Sequence, residues 1–424
     1  MDYDMEEINY RRQLRAQQRQ QRLAQRRRLF MRLGIAGAVL VVCGVLIAVI
    51  SSGGGKAPAA TTPSTQTVPM ATADPTDDTQ AAQTVIRFAA AGDLNITDKV
   101  VASGGATFDY TRAFMDVVPL LADADLTALN FEGNVYGTQY GADSAPPQLL
   151  TALKTAGVDL VQMANSRTIN KGVAGLQSTL QSVRSAGLIP VGAFEDESEF
   201  KRTGGYTICN VRGVKVAVVA FTKGMDGMAL PAGSEHCVNL LYTDYSSNYR
   251  KVDKEGITNL LRAVEKQKPD ITIALLHWGS EYNDTHSDSQ DDIRKLMTAE
   301  GVDAIIGTHP HYVQDMNLDP ETGTFIAYSL GDFFSDAVRS GTEYSVVLEL
   351  EITKDNIAGT TAITGYSYTP IYTAADSEGT LRVLRMEPAI AAYESNHIDR
   401  VEQSVYEGML YARDRITDRV TPDK

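Results

Sequence analysis

The chain has 424 residues, 43% hydrophobic and 22% charged, enough apolar material to bury a large core and therefore incompatible with disorder throughout. The formal net charge of −14 conceals an asymmetry: residues 1–32 carry nine arginines against four acids, a local +5, which leaves −19 for the remainder. A body this acidic repels nucleic acid at long range, which argues against a DNA- or RNA-binding role, and any polyanionic substrate has to be held by metal ions or a few local arginines.

Residues 1–28 are rich in Arg and Gln, with good helix formers and no apolar stripe, and read as a cytoplasmic solvated segment. Residues 33–50 (LGIAGAVLVVCGVLIAVI) are 18 positions without a charge, close to the roughly 20 needed to cross a bilayer. Snorkelling of Arg32 lets 29–31 join the run, so a transmembrane helix is expected over 29–50. The arginines before it keep the N-terminus cytoplasmic and send everything after Ile50 outside, giving a single-pass cell-membrane protein with an extracytoplasmic body. A cleaved signal peptide is the competing reading; the long arginine-rich lead and the missing small-x-small pattern after the apolar run speak against it. Over 51–83 the composition turns to Gly, Ser, Thr, Ala and Pro, as in a disordered linker.

Residues 84–424 are expected to form one folded domain. Short apolar runs at 85–91, 126–130, 160–163, 188–191, 214–221, 271–276, 304–306, 324–329 and 344–352 read as strands. Amphipathic stretches at 107–121, 148–155, 173–186, 255–266 and 291–299 read as helices, and the last strands at 369–372 and 381–386 are followed by an outer helix over 398–417. The alternation predicts an α/β fold, with antiparallel pairs mixed in over 324–371. Cys209 and Cys237 both lie beyond the apolar run, and they either form a disulfide or remain two buried thiols.

The polar residues suited to chemistry follow the strand ends, where open α/β sheets place ligands: Asp93, Glu132, Asn165, His277, Glu281, His309 and His311. The chain has only six histidines, and three are in this set. Pro310 pushes His309 towards an extended conformation, and an extended i, i+2 pair turns both imidazoles to one side. Carboxylates mixed with imidazoles suit Mn, Fe or Zn better than Ca or Mg.

The segments A-G-D-L (91–94), L-N-F-E (129–132), A-N-S-R-T-I-N-K-G (164–172), H-W-G-S-E-Y (277–282), G-T-H-P-H-Y-V-Q (307–314) and Y-S-L-G-D-F (328–333) occur in this order across most of residues 85–372. In them the chain resembles the CapA family of capsule and poly-γ-glutamate biosynthesis. The resemblance implies a calcineurin-like metallophosphoesterase sandwich, two β-sheets flanked by helices with a metal site at one end. It implies Asp93, Glu132, His277, His309 and His311 as ligands of a binuclear centre of Mn, Fe or Zn, with Glu281 orienting a histidine or the substrate.

The departures from the family pattern bear on activity. Where the family has A-N-N-H-x-x-D-x-G, this chain has Ser166, a poor ligand, and Arg167, which cannot cycle as acid and base but can clamp a phosphate or carboxylate. Asp332 stands where the family commonly has Asn and compensates if it faces the site; Trp278 packs at the rim or in the core. The reading that follows is an accessory or binding role in capsule, poly-γ-glutamate or envelope-polymer biosynthesis, with a degenerate centre whose metal is weakened or lost. Its partners are the membrane and an anionic envelope polymer or its synthesis complex. The alternative is an active metal-dependent hydrolase or transferase acting on phosphoester or amide bonds, with Arg167 and Glu281 at the substrate. A serine hydrolase is disfavoured, because no G-x-S-x-G elbow precedes a helix.

Overall fold

The computed structural model describes residues 82–395 and 401–420. The expected cytoplasmic segment 1–28, the transmembrane helix 29–50 and all but the last two residues of the linker 51–83 lie outside them. Among the described residues no helix is long and apolar enough to cross a membrane. The chain divides into two compact units, Met1–Gln83 with Asp355–Thr360, and Thr84–Lys354 with Thr361–Lys424. In the described part of the first, Asp355 accepts the N–H groups of Ile357 and Ala358, and the Asn356 N–H donates to the Ala82 carbonyl.

The strands are β1 Gln83–Asn95, β2 Leu126–Glu132, β3 Leu160–Gln162, β4 Ile189–Val191, β5 Thr207–Val211, β6 Val214–Thr222 and β7 Ile271–His277. They continue with β8 Ala304–Thr308, β9 Met316–Leu318, β10 Phe325–Ala327, β11 Asp332–Phe334, β12 Tyr344–Asp355, β13 Thr360–Ala375 and β14 Leu381–Arg385. One sheet runs β14-β13-β12-β1-β2-β3-β4, with β11 also pairing β1, and the other runs β5-β6-β7-β8-β10-β9. The inner pairs of the second sheet are parallel and its edges antiparallel. Strands β2 and β7 are buried at every residue, as strands covered on both faces must be.

Alternation along the second sheet decides what faces the site. Val216, Val218 and Ala220 of β6 and Ile271, Ile273 and Leu275 of β7 join the larger core, which also holds Phe88, Ala90 and Leu94 of β1. Their neighbours Ala217, Val219, Phe221, Ala274 and Leu276 point the other way, into a second core with Ile257, Leu261 and Val264 of the helix Lys254–Lys266 and Ile293 and Met297 of Asp288–Ala299. Period-2 geometry therefore puts His277 on the face of Ile273 and Leu275, and Trp278 on the opposite one. Both covering helices start on side-chain caps: Asp253 accepts from the Gly256 N–H, and Ser287 and Gln290 form a capping box.

One expectation is corrected here, and two alternatives left open are decided. The helix expected over 107–121 is broken into the end of a 3-10 turn at Gly105–Thr107 and two short helices, Thr111–Phe114 and Val118–Ala122, with a further short helix, Asp98–Ala102, ahead of them. Phe108 at φ 54° and Pro119, which has no N–H to continue a preceding helix, account for the breaks. No disulfide joins Cys209 and Cys237; Cys209 is half-buried on β5, Cys237 is buried in a loop, and both are free thiols. Trp278 is wholly buried, its indole N–H donating to the Tyr328 carbonyl, so it belongs to the core and not to a rim.

Candidate metal centre

The site starts from a close backbone approach. Asp93 donates its N–H to the Gly331 carbonyl, and a Cβ at Gly92 would lie 1.8 Å from that same oxygen. Glycine at 92 thus lets β11 come against β1 in parallel, with Asp93 opposite Asp332. Asp93 is consequently within the ladder rather than past its end, and Glu132 and His277 are the last residues of β2 and β7.

His309 and His311 are not extended, contrary to the expectation from Pro310. Their φ angles are 95° and 60°, a region that costs a non-glycine residue on the order of 1–3 kcal/mol. The chain turns sharply after β8, and the turn is held because the His309 N–H donates to Asp93 Oδ2 at 2.9 Å and the Tyr282 N–H to the Pro310 carbonyl. The two rings still lie 6.2 Å apart, and that of His309 is 4.4 Å from His277.

Two adjoining groups result. In the first, ligand atoms of Asp93, His311 and Asp332 all lie within 4.8 Å of one another. His311 Nδ1 is 2.7 Å from Asp332 Oδ1 and 3.8 Å from Asp93 Oδ2, and its ring stacks on Tyr282. In the second, His277 Nε2 is 2.6 Å from Glu132 Oε1, His277 Nδ1 is 3.1 Å from the Thr222 hydroxyl, and the Ser166 hydroxyl donates to Glu132 Oε2 at 3.1 Å. The Asn130 amide ties the groups together, donating to Asp93 Oδ1 at 2.6 Å and Glu132 Oε1 at 3.1 Å, and Asn165 in turn donates to Asn130 Oδ1.

The electrostatics are those of a site with surplus buried negative charge. Burial, followed by the Glu132 carboxylate, pushes Asp93 up to about 7. Burial likewise raises Asp332. Burial opposes ionisation of Glu132 too, but His277 beside it holds it down at about 2. For His311, burial is outweighed by the Asp332 and Asp93 carboxylates, which carry it up to about 10, whereas burial takes His309 well below its ordinary value. Two buried carboxylates and an imidazole within ligand distance, one acid forced towards its neutral form, fit a divalent cation. Nδ1 of His309 is buried with no hydrogen-bond partner among the described residues, which points to the same cluster.

A cleft of about 280 Å³ opens beside the second group, lined by Ser166, Lys223, Asp226, Tyr249, Glu281 and His309, among others. Five residues expected as ligands, Asp93, Glu132, His277, His309 and His311, are thus brought together, and Asp332 faces them. Glu281 is not joined to them: it is an exposed residue on the cleft wall, with no hydrogen bond to a histidine among the described residues. Arg167 lies between Asp143 at 3.7 Å and Asp226 at 3.6 Å, its side chain 42% exposed. Sequence reasoning missed Asn130, Thr222 and Lys223. Thr222 and Lys223 sit at the end of β6, so the strand-end rule that found the histidines was the available signal.

The fold and the site define a two-sheet α/β protein with a buried carboxylate–imidazole cluster at its strand ends. Residues 87–337 match the family model described as bacterial capsule synthesis protein PGA_cap, and the chain belongs to that family. It is 28% identical over 316 residues to the capsule biosynthesis protein CapA of Bacillus anthracis, covering 69% of this chain and 71% of that one. To the PGA biosynthesis protein CapA of Bacillus subtilis it is 28% identical over 249 residues, 57% of this chain and 61% of that one. To a probable polyglutamine synthesis accessory protein of Mycobacterium tuberculosis it is 24% identical over 234 residues, 54% and 60% of the two chains. The CapA resemblance read from the motifs is borne out. Among solved structures, a calcineurin-like phosphoesterase of Bacillus subtilis is similar at a TM-score of 0.41 and 15% identity, covering 78% of this chain and 99% of that one. A phosphatase of Mycoplasma pneumoniae is similar at 0.43 and 14%, covering 68% and 94%.

Proposed function

We propose that this protein is a membrane-anchored, extracytoplasmic accessory protein of capsule or poly-γ-glutamate biosynthesis, with a degenerate calcineurin-like metal centre that holds one divalent cation and serves to bind an anionic envelope polymer or its synthesis complex. The observation that carries the reading is the contrast between the two groups of the site. Ligand atoms of Asp93, His311 and Asp332 all lie within 4.8 Å of one another, two carboxylates with an imidazole, whereas the other group pairs a single carboxylate, Glu132, with His277 and the Ser166 hydroxyl. The relatives' names support the polymer, one of them naming an accessory role. The charge-free run at 33–50 behind nine arginines supports the anchor and its orientation.

Asp93, Asp332 and His311 would hold the ion, with Glu132, His277 and His309 adjoining. When bound, the ion supplies Lewis acidity to a phosphoryl or carbonyl oxygen. Arg167, 3.6 Å from Asp226 of the cleft wall, offers a guanidinium to pair with a phosphate or carboxylate. Loss of the acid–base imidazole at that position favours binding over turnover. One observation favours the other reading, an active hydrolase or transferase of envelope phosphoesters or amides: Asp332 adds a carboxylate to the centre.

Metal analysis of the full-length protein purified in detergent, combined with hydrolysis of bis(p-nitrophenyl) phosphate, separates the two. The accessory role predicts one transition metal per chain, lost in His311→Ala, and no turnover above buffer. Turnover that disappears in His309→Ala would establish the enzyme instead. A metal-free protein whose stability is indifferent to His311→Ala would overturn the metal centre altogether.

A further inference from the structure

We propose that Lys223 takes the place of a second metal ion, its ammonium group supplying from within the chain the positive charge that a second cation would bring to the Glu132, His277 and His309 side of the centre. The inference rests on the one-cation reading above and extends it to how the other half of the site is neutralised.

Lys223 follows β6 directly, and its backbone N–H is fixed on the His277 carbonyl at 2.8 Å. From there the side chain runs along the cleft, with Nζ 4.6 Å from the Tyr249 ring centroid. Nζ donates to the Gly279 carbonyl at 2.7 Å and lies 3.4 Å from His309 Nε2. That contact is the only side-chain hydrogen bond of the His309 ring among the described residues, since Nδ1 has no partner. Nε2 of His309 is therefore capped by a cation, Nδ1 being the ring nitrogen left open, and a dication arriving on this side would meet the ammonium at short range. Other ligand atoms on this side are engaged as well: His277 Nε2 by Glu132 Oε1, and Glu132 Oε2 by the Ser166 hydroxyl. His309 Nε2, His277 Nε2 and Glu132 Oε2 are thus engaged by groups of the chain itself, and of those groups Lys223 brings positive charge on a side chain that can swing away.

Manganese stoichiometry of the full-length protein after equilibrium dialysis tests this, read by elemental analysis on wild type, Lys223→Met, Lys223→Arg and the Lys223→Met/His309→Ala pair. Lys223→Met is expected to gain one manganese per chain over wild type, Lys223→Arg to gain none, and the double variant to lose the gain. A wild-type count already at two, or a Lys223→Met protein of unchanged melting temperature with no gain, overturns the proposal. If Lys223→Met does not fold, Lys223→Gln, which keeps a donor for the Gly279 carbonyl, carries the same expectation. A wild-type count of zero with a gain of one in the variant would sink the one-cation reading at Asp93, His311 and Asp332 while leaving the role of Lys223 standing.

Discussion

Asp93 and Asp332 stand opposite one another on two parallel strands, and His311 reaches both carboxylates, at 3.8 Å and 2.7 Å. Backbone pairing, rather than loop flexibility, keeps two acids side by side in the protein interior. A cation relieves the repulsion that this pairing enforces.

Removing one of the acids tests that relationship. Asp332→Asn keeps the shape and deletes the charge, and manganese affinity, measured by competition with a fluorescent chelator, is expected to fall at least about tenfold. Unchanged affinity would remove Asp332 from the ligand set.

Gly92→Ala probes the approach that makes the pairing possible. The added methyl would sit 1.8 Å from the Gly331 carbonyl oxygen, backbone that cannot step aside without separating β1 from β11. Destabilisation of about 3 kcal/mol is expected in urea unfolding, with loss of metal binding in whatever fraction stays folded.

The metal-free protein should also lose stability as the pH rises. His311 has its folded value raised from 6.5 to about 10, so its contribution is fully present below pH 6.5 and is lost as the pH climbs to about 10. Asp93, raised from 3.8 to about 7, acts with the same sign over the lower window, because the folded state again holds its proton more tightly. Urea midpoints in chelator at pH 6 and pH 9.5 should therefore differ in favour of pH 6, and His311→Asn should narrow the difference.

Limited proteolysis addresses the extent of the folded body. Residues 84–424 are expected to resist as one domain, with no stable fragment ending near residue 380 on gel or by mass spectrometry.

Where an element carries an unbroken apolar run or an apolar stripe, its place was legible in the sequence: β6, β7 and the helices Lys254–Lys266 and Asp288–Ala299 lie within a few residues of their expected bounds. Short pairings were not, because β9 and β11 have three residues each, too few to show a period, and β11 owes its existence to β1, distant in the chain. Convergence of Asp93, Glu132 and the three histidines could be read from the strand-end rule. The conformation of His309 could not, because it depends on a hydrogen bond to a carboxylate 216 positions away. Lys223 was passed over for a similar reason: a lysine at a strand end reads as solvated until Gly279 and His309 are brought beside it.

The sidedness of β7 carries a last consequence. His277 and Trp278 are adjacent in the chain yet serve opposite faces of one sheet. Shifting the strand by a single residue, as an insertion ahead of His277 would, exchanges them: an indole would be driven among the carboxylates and an imidazole into the hydrocarbon beneath the helices. Catalytic or not, the chemistry of this centre can drift by substitution far more readily than by changes of length in its central strands, so divergence among such proteins should accumulate in the loops that cap the sheet.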